Sequence, residues 1–425
     1  MGGSLSISYR RAVISAAIGN AVEWYDFAVY GYLATIIASL YFPSKDPLAS
    51  LALAFLAFAV GFVARPIGAI VIGHYGDKYG RRNALILTVS LMSIGTILLG
   101  MLPTYNDIGV LAPIGVAIAR LIQGFSAGGE WGGSTAFMVE YAPQGRRGYI
   151  GSWQQFTVGS GFLLGSLAAT IITYTLPGEA LRSWGWRLPF VVGGAVVGLV
   201  GLYLRLGVPE TPKFKEIEAR GDKSRAPLID AVRNNYREIA MALGFTIIWT
   251  VAYYMFLTYM PSYASAVLKI PPQLSFLSST ISLALFLAMI PVFGRLSDTY
   301  GRKPFLIAST IGLLILTYPL LYVSAYGFEY LLVSQIIIAL LIAMFSGPGP
   351  AAIAELFPTK VRYSGLSIGY NIAVTGFGGT APYIATMIIA VTGNRLLPSL
   401  YVMAAAIATL VTLLNMRETA REALK

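Results

Sequence analysis

The chain has 425 residues, of which 56% are apolar and 12% charged, with a net charge of +11. An ordinary soluble domain carries about 25% charged residues, so too few charges are present to cover soluble surfaces, and a soluble enzyme, a disordered chain and a disulfide-rich secreted protein are excluded. No cysteine and one histidine, His74, leave no cluster for a metal and no thiol nucleophile, and no cofactor is expected.

Continuous apolar runs of 20 residues or more are what a hydrocarbon core takes to cross; open sheets cannot span it, and barrel strands would alternate. The runs predict twelve helices, at about 11–40, 48–73, 83–103, 109–140, 148–176, 186–206, 237–268, 273–294, 304–325, 328–355, 364–391 and 396–416. The first carries Gly19-Asn-Ala-Val-Glu23-Trp-Tyr-Asp26-Phe, too acidic for a cleavable signal peptide. Glu23 and Asp26 lie three apart, near one face, with Tyr30 one turn on. Helix 2 contains Arg65-Pro-Ile-Gly68, where Pro66 frees a backbone carbonyl and bends the helix. Helix 4 holds Arg120-Leu-Ile-Gln123-Gly and, ten residues past Arg120, Glu130.

A charged stretch over 208–236 reads as a linker between an N-terminal bundle, 1–207, and a C-terminal bundle, 237–425. The second bundle has no charge away from its helix ends; Trp249, Tyr253, Tyr254, Tyr370 and Asn371 are its candidates for hydrogen bonding and stacking. Gly347-Pro-Gly-Pro350 in helix 10 is a candidate hinge.

The N-terminus and the even-numbered turns hold 22 of the 30 Lys and Arg residues, against 5 on the opposite side. Positive-inside topology then places both termini in the cytoplasm and explains the basic balance without nucleic acid. The halves also repeat. Gly73-His-Tyr-Gly-Asp77-Lys-Tyr-Gly80-Arg81-Arg82 recurs as Gly294-Arg-Leu-Ser-Asp298-Thr-Tyr-Gly301-Arg302-Lys303, 221 residues on. Glu140-Tyr-Ala-Pro143 with Arg147 recurs as Glu355-Leu-Phe-Pro358 with Arg362, 215 residues on. Two motif pairs at nearly one offset imply two pseudo-symmetric six-helix bundles with a site between them. Asp77 and Asp298 are expected to cap the following helix and to pair with Arg81 and Arg302, a latch made in one conformation and broken in the other.

Five charges fall near mid-membrane: Glu23, Asp26, Arg65, Arg120 and Glu130. Such charges are expensive and functional. Three acids against two arginines leave one acid without a formal partner, and a desolvated acid in that position tends to take a proton. Asp26 or Glu23 is the expected proton carrier, with Glu130 the rival. Arg120 is read as binding a substrate carboxylate or setting the acid's protonation, and Arg65 as a substrate contact or a structural residue. Tyr30 and Gln123 join the candidate site by position.

These motifs, with Gln123-Gly-Phe-Ser-Ala-Gly-Gly-Glu130, Trp184-Gly-Trp-Arg187-Leu-Pro-Phe and Glu355-Leu-Phe-Pro-Thr-Lys-Val-Arg362-Tyr-Ser-Gly365, resemble those of the major facilitator superfamily, and within it the metabolite:proton symporter family. The resemblance implies an all-α fold of twelve transmembrane helices, alternating access and proton-coupled import across the plasma membrane. The expected partners are a small-molecule substrate, protons and the lipid bilayer, with the protein a monomer. The two buried arginines favour a di- or tricarboxylate, with a zwitterion open. A proton-coupled antiporter and an uncoupled facilitator are the alternatives; an enzyme is not expected.

Overall fold

The computed structural model describes residues 20–21, 24–79, 81–128, 130–206, 233–358 and 361–424. Among these residues the chain is helical and forms no strand. Among the described residues, twelve long helical segments follow one another. α1 covers 24–41, with a turn at Leu33 before its last stretch, Ala34–Tyr41. Then come α2 (Pro47–Tyr79), α3 (Arg81–Met101), α4 (Leu111–Ala127 continued by Glu130–Tyr141), α5 (Arg147–Thr175) and α6 (Leu188–Leu206). The second set is α7 (Tyr236–Ala266), α8 (Pro272–Tyr300), α9 (Lys303–Val323), α10 (Phe328–Ser346 and Gly349–Ala354), α11 (Arg362–Thr392) and α12 (Pro398–Asn415). Of the expected linker, 208–232 lies outside the described residues.

Among the described residues, nine helices are long and apolar enough to cross a membrane; α3 contains a shorter apolar stretch, Ile86–Met101, and another, Gly185–Val200, begins in the turn before α6. Val192, Val196 and Leu199 on α6, and Ile407, Val411 and Leu414 on α12, are exposed. A water-facing helix would carry charge there, so these faces meet lipid.

The packing repeats at an interval of six helices. α2 lies on α4 as α8 lies on α10, and α3 on α6 as α9 on α12. Between the halves α5 packs on α8, and α2 on α11. Small residues set the closest crossing: a Cβ on Gly124 would sit 1.6 Å from the carbonyl oxygen of Gly61. That contact brings Arg120 and Arg65, one on each of these helices, into the same layer.

Two features depart from the sequence expectation. α2 and α8 do not stop at Gly73 and Gly294; they continue to Tyr79 and Tyr300. Gly294 stays helical because its missing side chain admits α5, whereas Gly301, at φ +100°, takes the left-handed backbone that ends α8. α7 and α11 are not regular throughout. Each widens into a π-helical turn, at Tyr253–Tyr259 and at Val374–Gly378. Such turns cluster at functional sites. Pro261 and Pro382, soon after each turn, cannot donate to an α-type ladder.

Candidate functional site

A charged pair lies inside the N-terminal half. Asp26 of α1 and Arg120 of α4 are buried, and Arg120 Nη1 stands 3.4 Å from Asp26 Oδ2. The same Nη1 donates to Gln123 Oε1 at 2.8 Å, and Gln123 Nε2 donates to Thr96 Oγ1 at 3.2 Å. Asp26 Oδ1 and Arg120 Nε and Nη2 find no hydrogen-bond partner among the described residues. The pair is therefore long and incompletely bonded, although Coulomb attraction is strongest where water is excluded.

Aromatic faces hold the guanidinium. Arg120 Cζ lies 4.4 Å from the ring centre of Phe27, 4.7 Å from Tyr30 and 5.1 Å from Phe58. Tyr30 uses its hydroxyl on the Ala54 carbonyl, 2.8 Å away, so its ring alone faces the site. Arg65 is buried next to this group, its Cζ 5.2 Å from Trp24, 5.4 Å from Phe62 and 5.6 Å from Phe27. Glu130 is half-buried where α4 resumes. Glu23 and the side chains of His74, Asp77 and Arg81 lie outside the described residues.

Beyond Trp24 and Tyr254 is a small pocket between the halves. It is lined by Trp24 from α1, Gln155 and Val158 from α5, Thr246, Trp249, Thr250, Tyr253 and Tyr254 from α7, and Tyr370 from α11. Its space admits about one water molecule. Trp249 Nε1 donates to Ser346 Oγ at 2.9 Å, and Tyr370 stacks on Trp131 with ring centres 3.6 Å apart. Of the expected site residues, Trp249, Tyr253, Tyr254 and Tyr370 meet here. Asn371 instead donates to the Gly128 carbonyl at 3.2 Å, joining α11 to α4.

The arginine-rich end is closed by contacts between the halves. Arg147 on α5 reaches Glu355 on α10 at 3.0 Å, and Arg362 on α11 reaches Glu140 on α4 at 2.6 Å. Arg302 lies 2.8 Å from Asp298 and 3.4 Å from Glu355. Asp298 does not cap the helix that follows it. Its two oxygens accept the N–H groups of Gly148 (2.7 Å) and Tyr149 (2.9 Å), at the start of α5 in the other half. The free N–H groups and the dipole of a helix start favour a carboxylate there.

The start of α9 is capped by Glu418, which accepts from Arg302 N (2.9 Å), Lys303 N (2.9 Å) and Ala420 N (3.0 Å). Burial by itself raises the Glu418 carboxyl; the backbone N–H groups of Arg302, Ala420 and Lys303, with the Arg302 charge, outweigh it and hold it below the usual glutamate range. The opposite end is closed too. Tyr32 donates to the Leu257 carbonyl at 2.5 Å, and Ser166 and Thr170 on α5 bond Thr280 on α8 at 2.6 and 3.0 Å.

Sequence reasoning passed over Trp24, Phe27, Phe58, Phe62 and Trp131 as site residues, because an aromatic run in a membrane helix reads equally as packing. It used Glu140, Arg147, Glu355 and Arg362 as a repeat signal only. Their equal spacing of seven in each half was the available clue to a reciprocal pairing.

Comparison with known proteins agrees with this arrangement. The family model described as "Sugar (and other) transporter" matches residues 12–238, and that described as "Major Facilitator Superfamily" matches 271–424. The glycine betaine/proline/ectoine/pipecolic acid transporter OusA of Dickeya dadantii is 37% identical, covering 98% of this chain and 85% of that protein. The proline/betaine transporter of Escherichia coli is 36% identical, with the same coverage. A partially occluded, inward-open structure of the xylose transporter XylE from E. coli superimposes with a TM-score of 0.77 at 20% identity, over 97% of this chain and 99% of that one, a likeness of fold.

Proposed function

The chain belongs to the major facilitator superfamily of membrane transporters, and we propose that it imports a small zwitterionic solute together with a proton. The observation that carries this reading is the incompletely bonded Asp26–Arg120 pair. A proton on Asp26 Oδ1 neutralises the acid and releases Arg120. The freed guanidinium stays on the faces of Phe27, Tyr30 and Phe58, which can hold a cation without a counter-ion. When the pair re-forms, the proton leaves. Arg120 is here the residue that evicts the proton.

The zwitterion replaces the di- or tricarboxylate that two buried arginines suggested. Asp26 already takes up the charge of Arg120. Among the described residues, no Asp, Glu, Lys, Arg or His lines the pocket. A dianion would lie there uncompensated, at a large desolvation penalty. The relatives named for proline and betaine support the same class.

Alternating access would proceed by rocking of the halves. With the arginine-rich end cytoplasmic, as its basic loops suggest, the Arg147–Glu355 and Arg362–Glu140 pairs and the Asp298 cap hold that end shut until the loaded carrier opens it. Asp298 and Arg302 serve as the latch, and Asp77 and Arg81 stand at the repeated position. The π-helical turns of α7 and α11 are the bending points.

The test is uptake by the reconstituted chain of glycine betaine, proline, citrate and 2-oxoglutarate, each with an acidic exterior and with no gradient. Betaine or proline accumulating only under the gradient is the expected result. Uptake indifferent to the gradient would leave a facilitator, and stimulation by an acidic interior an antiporter.

A further inference from the structure

We infer that the pocket between α1, α5, α7 and α11 seats an N-alkylated ammonium group on aromatic faces, at a site separate from the Asp26–Arg120 pair. The inference rests on the transport reading above and specifies the solute chemistry that it selects.

Five rings border the pocket: Trp24, Trp249, Tyr253, Tyr254 and Tyr370. Each ring face is negative and attracts a cation, most strongly where water is excluded. Two of the rings are fixed. The indole of Trp249 is held by its bond to Ser346, and Gly349 lies so near it that a Cβ there would come within 2.9 Å of the ring. Trp131 covers one face of Tyr370 and leaves only the other to face the pocket.

The chemistry of the lining ranks ammonium groups. A primary ammonium has three N–H donors that need acceptors, and ring faces are poor ones. A quaternary ammonium has none to satisfy and loses less on leaving water. Ring contact therefore favours quaternary over tertiary, secondary and primary amines. A carboxylate on the same solute also finds donors. Thr250 Oγ1 and Tyr253 Oη are buried and have no hydrogen-bond partner among the described residues. Both hydroxyls can therefore donate to a ligand oxygen.

The pocket is set apart from the proton site by one layer of rings. Trp24 borders the pocket on one side and Arg65 on the other, and the Tyr254 ring stands 5.2 Å from that of Phe62. Solute and proton thus influence each other through shared rings rather than through shared contacts. The present space fits about one water molecule, so the rings part when solute binds. Tyr253 and Tyr254 begin the π-helical turn, where the backbone has slack to let them move.

The experiment uses the full chain in liposomes and follows tryptophan fluorescence at fixed pH during titration with glycine, sarcosine, N,N-dimethylglycine, glycine betaine and 3,3-dimethylbutyrate. The last has the shape of glycine betaine without its positive charge. Affinity is expected to rise with each methyl, with glycine betaine roughly tenfold or more above both glycine and 3,3-dimethylbutyrate. Trp249→Leu should remove most of that preference and Trp249→Phe should keep part of it. Equal binding of glycine betaine and its uncharged isostere by the unaltered chain would overturn the proposal, as would no binding of any member of the series. Binding in the expected order without gradient-driven uptake would overturn the transport reading and leave the pocket standing.

Discussion

Arg147 of α5 lies 3.0 Å from Glu355 of α10, and the contact is reciprocated, since Arg362 of α11 lies 2.6 Å from Glu140 of α4. Each half thus contributes one acid and one arginine, seven residues apart, and each arginine crosses to the other half's acid. The two pairs differ in environment. Both side chains of the first are 3% exposed or less, whereas Glu140 is 30% exposed.

That difference predicts unequal effects on opening. Removing one partner of a buried pair destabilises by about 3–5 kcal/mol, whereas exposed pairs contribute about 0–1 kcal/mol. Glu355→Gln should therefore open the arginine-rich end far more than Glu140→Gln. The chain has no cysteine, so Thr250→Cys offers a background-free reporter beside the pocket. Labelling by an impermeant maleimide from the arginine-rich side should accelerate at least tenfold in the Glu355 variant. Equal acceleration in both would remove the ranking.

Asp26→Asn should uncouple transport. The amide cannot lose a proton, so Arg120 is never recaptured as an ion pair. Gradient-driven accumulation should fall to the level seen without a gradient, while exchange of labelled for unlabelled solute continues. Full gradient stimulation in this variant would rule out Asp26 as the proton carrier.

Glu418 ties stability to acid. Its carboxyl is held below the ordinary value in the folded chain. The stability it supplies is present above the unfolded glutamate value, about 4.3, and is lost as pH falls through the lower, folded value. Loss of the cap in Glu418→Ala should destabilise by about 1 kcal/mol at pH 7. The gap in melting temperature between variant and parent should narrow below about pH 4. A gap that stays constant from pH 7 to pH 3 would disprove the assignment.

The α2–α4 crossing predicts a contrast between glycines. Gly124→Ala places a Cβ against the Gly61 carbonyl, and such overpacking destabilises by about 1–3 kcal/mol or more. Gly178→Ala meets nothing within 4 Å and should be silent. Melting temperatures in detergent decide this. In the Gly124 variant uptake should fall as well, because the same crossing positions Arg120.

Much of the architecture is legible without coordinates. Apolar runs long enough to span lipid, the Lys and Arg bias of alternate turns and the twice-repeated motifs are local patterns, and they lead to twelve helices in two related halves. Asp26 and Arg120 are also conspicuous one by one, since charge in an apolar run is rare. Their partnership is not visible. The residues are 94 apart, and whether they face each other depends on the rotation of α1 and α4, which hydropathy leaves free. The same holds for the crossed ion pairs and for the carboxylate of Asp298, which bonds the start of a helix in the opposite half. The π-helical turns are not visible in hydropathy, which reads straight through them; Pro261 and Pro382 shortly after them were the available signal. The solute class we propose departs from the charge tally for one physical reason. A tally of charges counts two free arginines, but once folding sets Asp26 beside Arg120, that cation is answered within the protein, and a neutral pocket walled by rings remains between the halves.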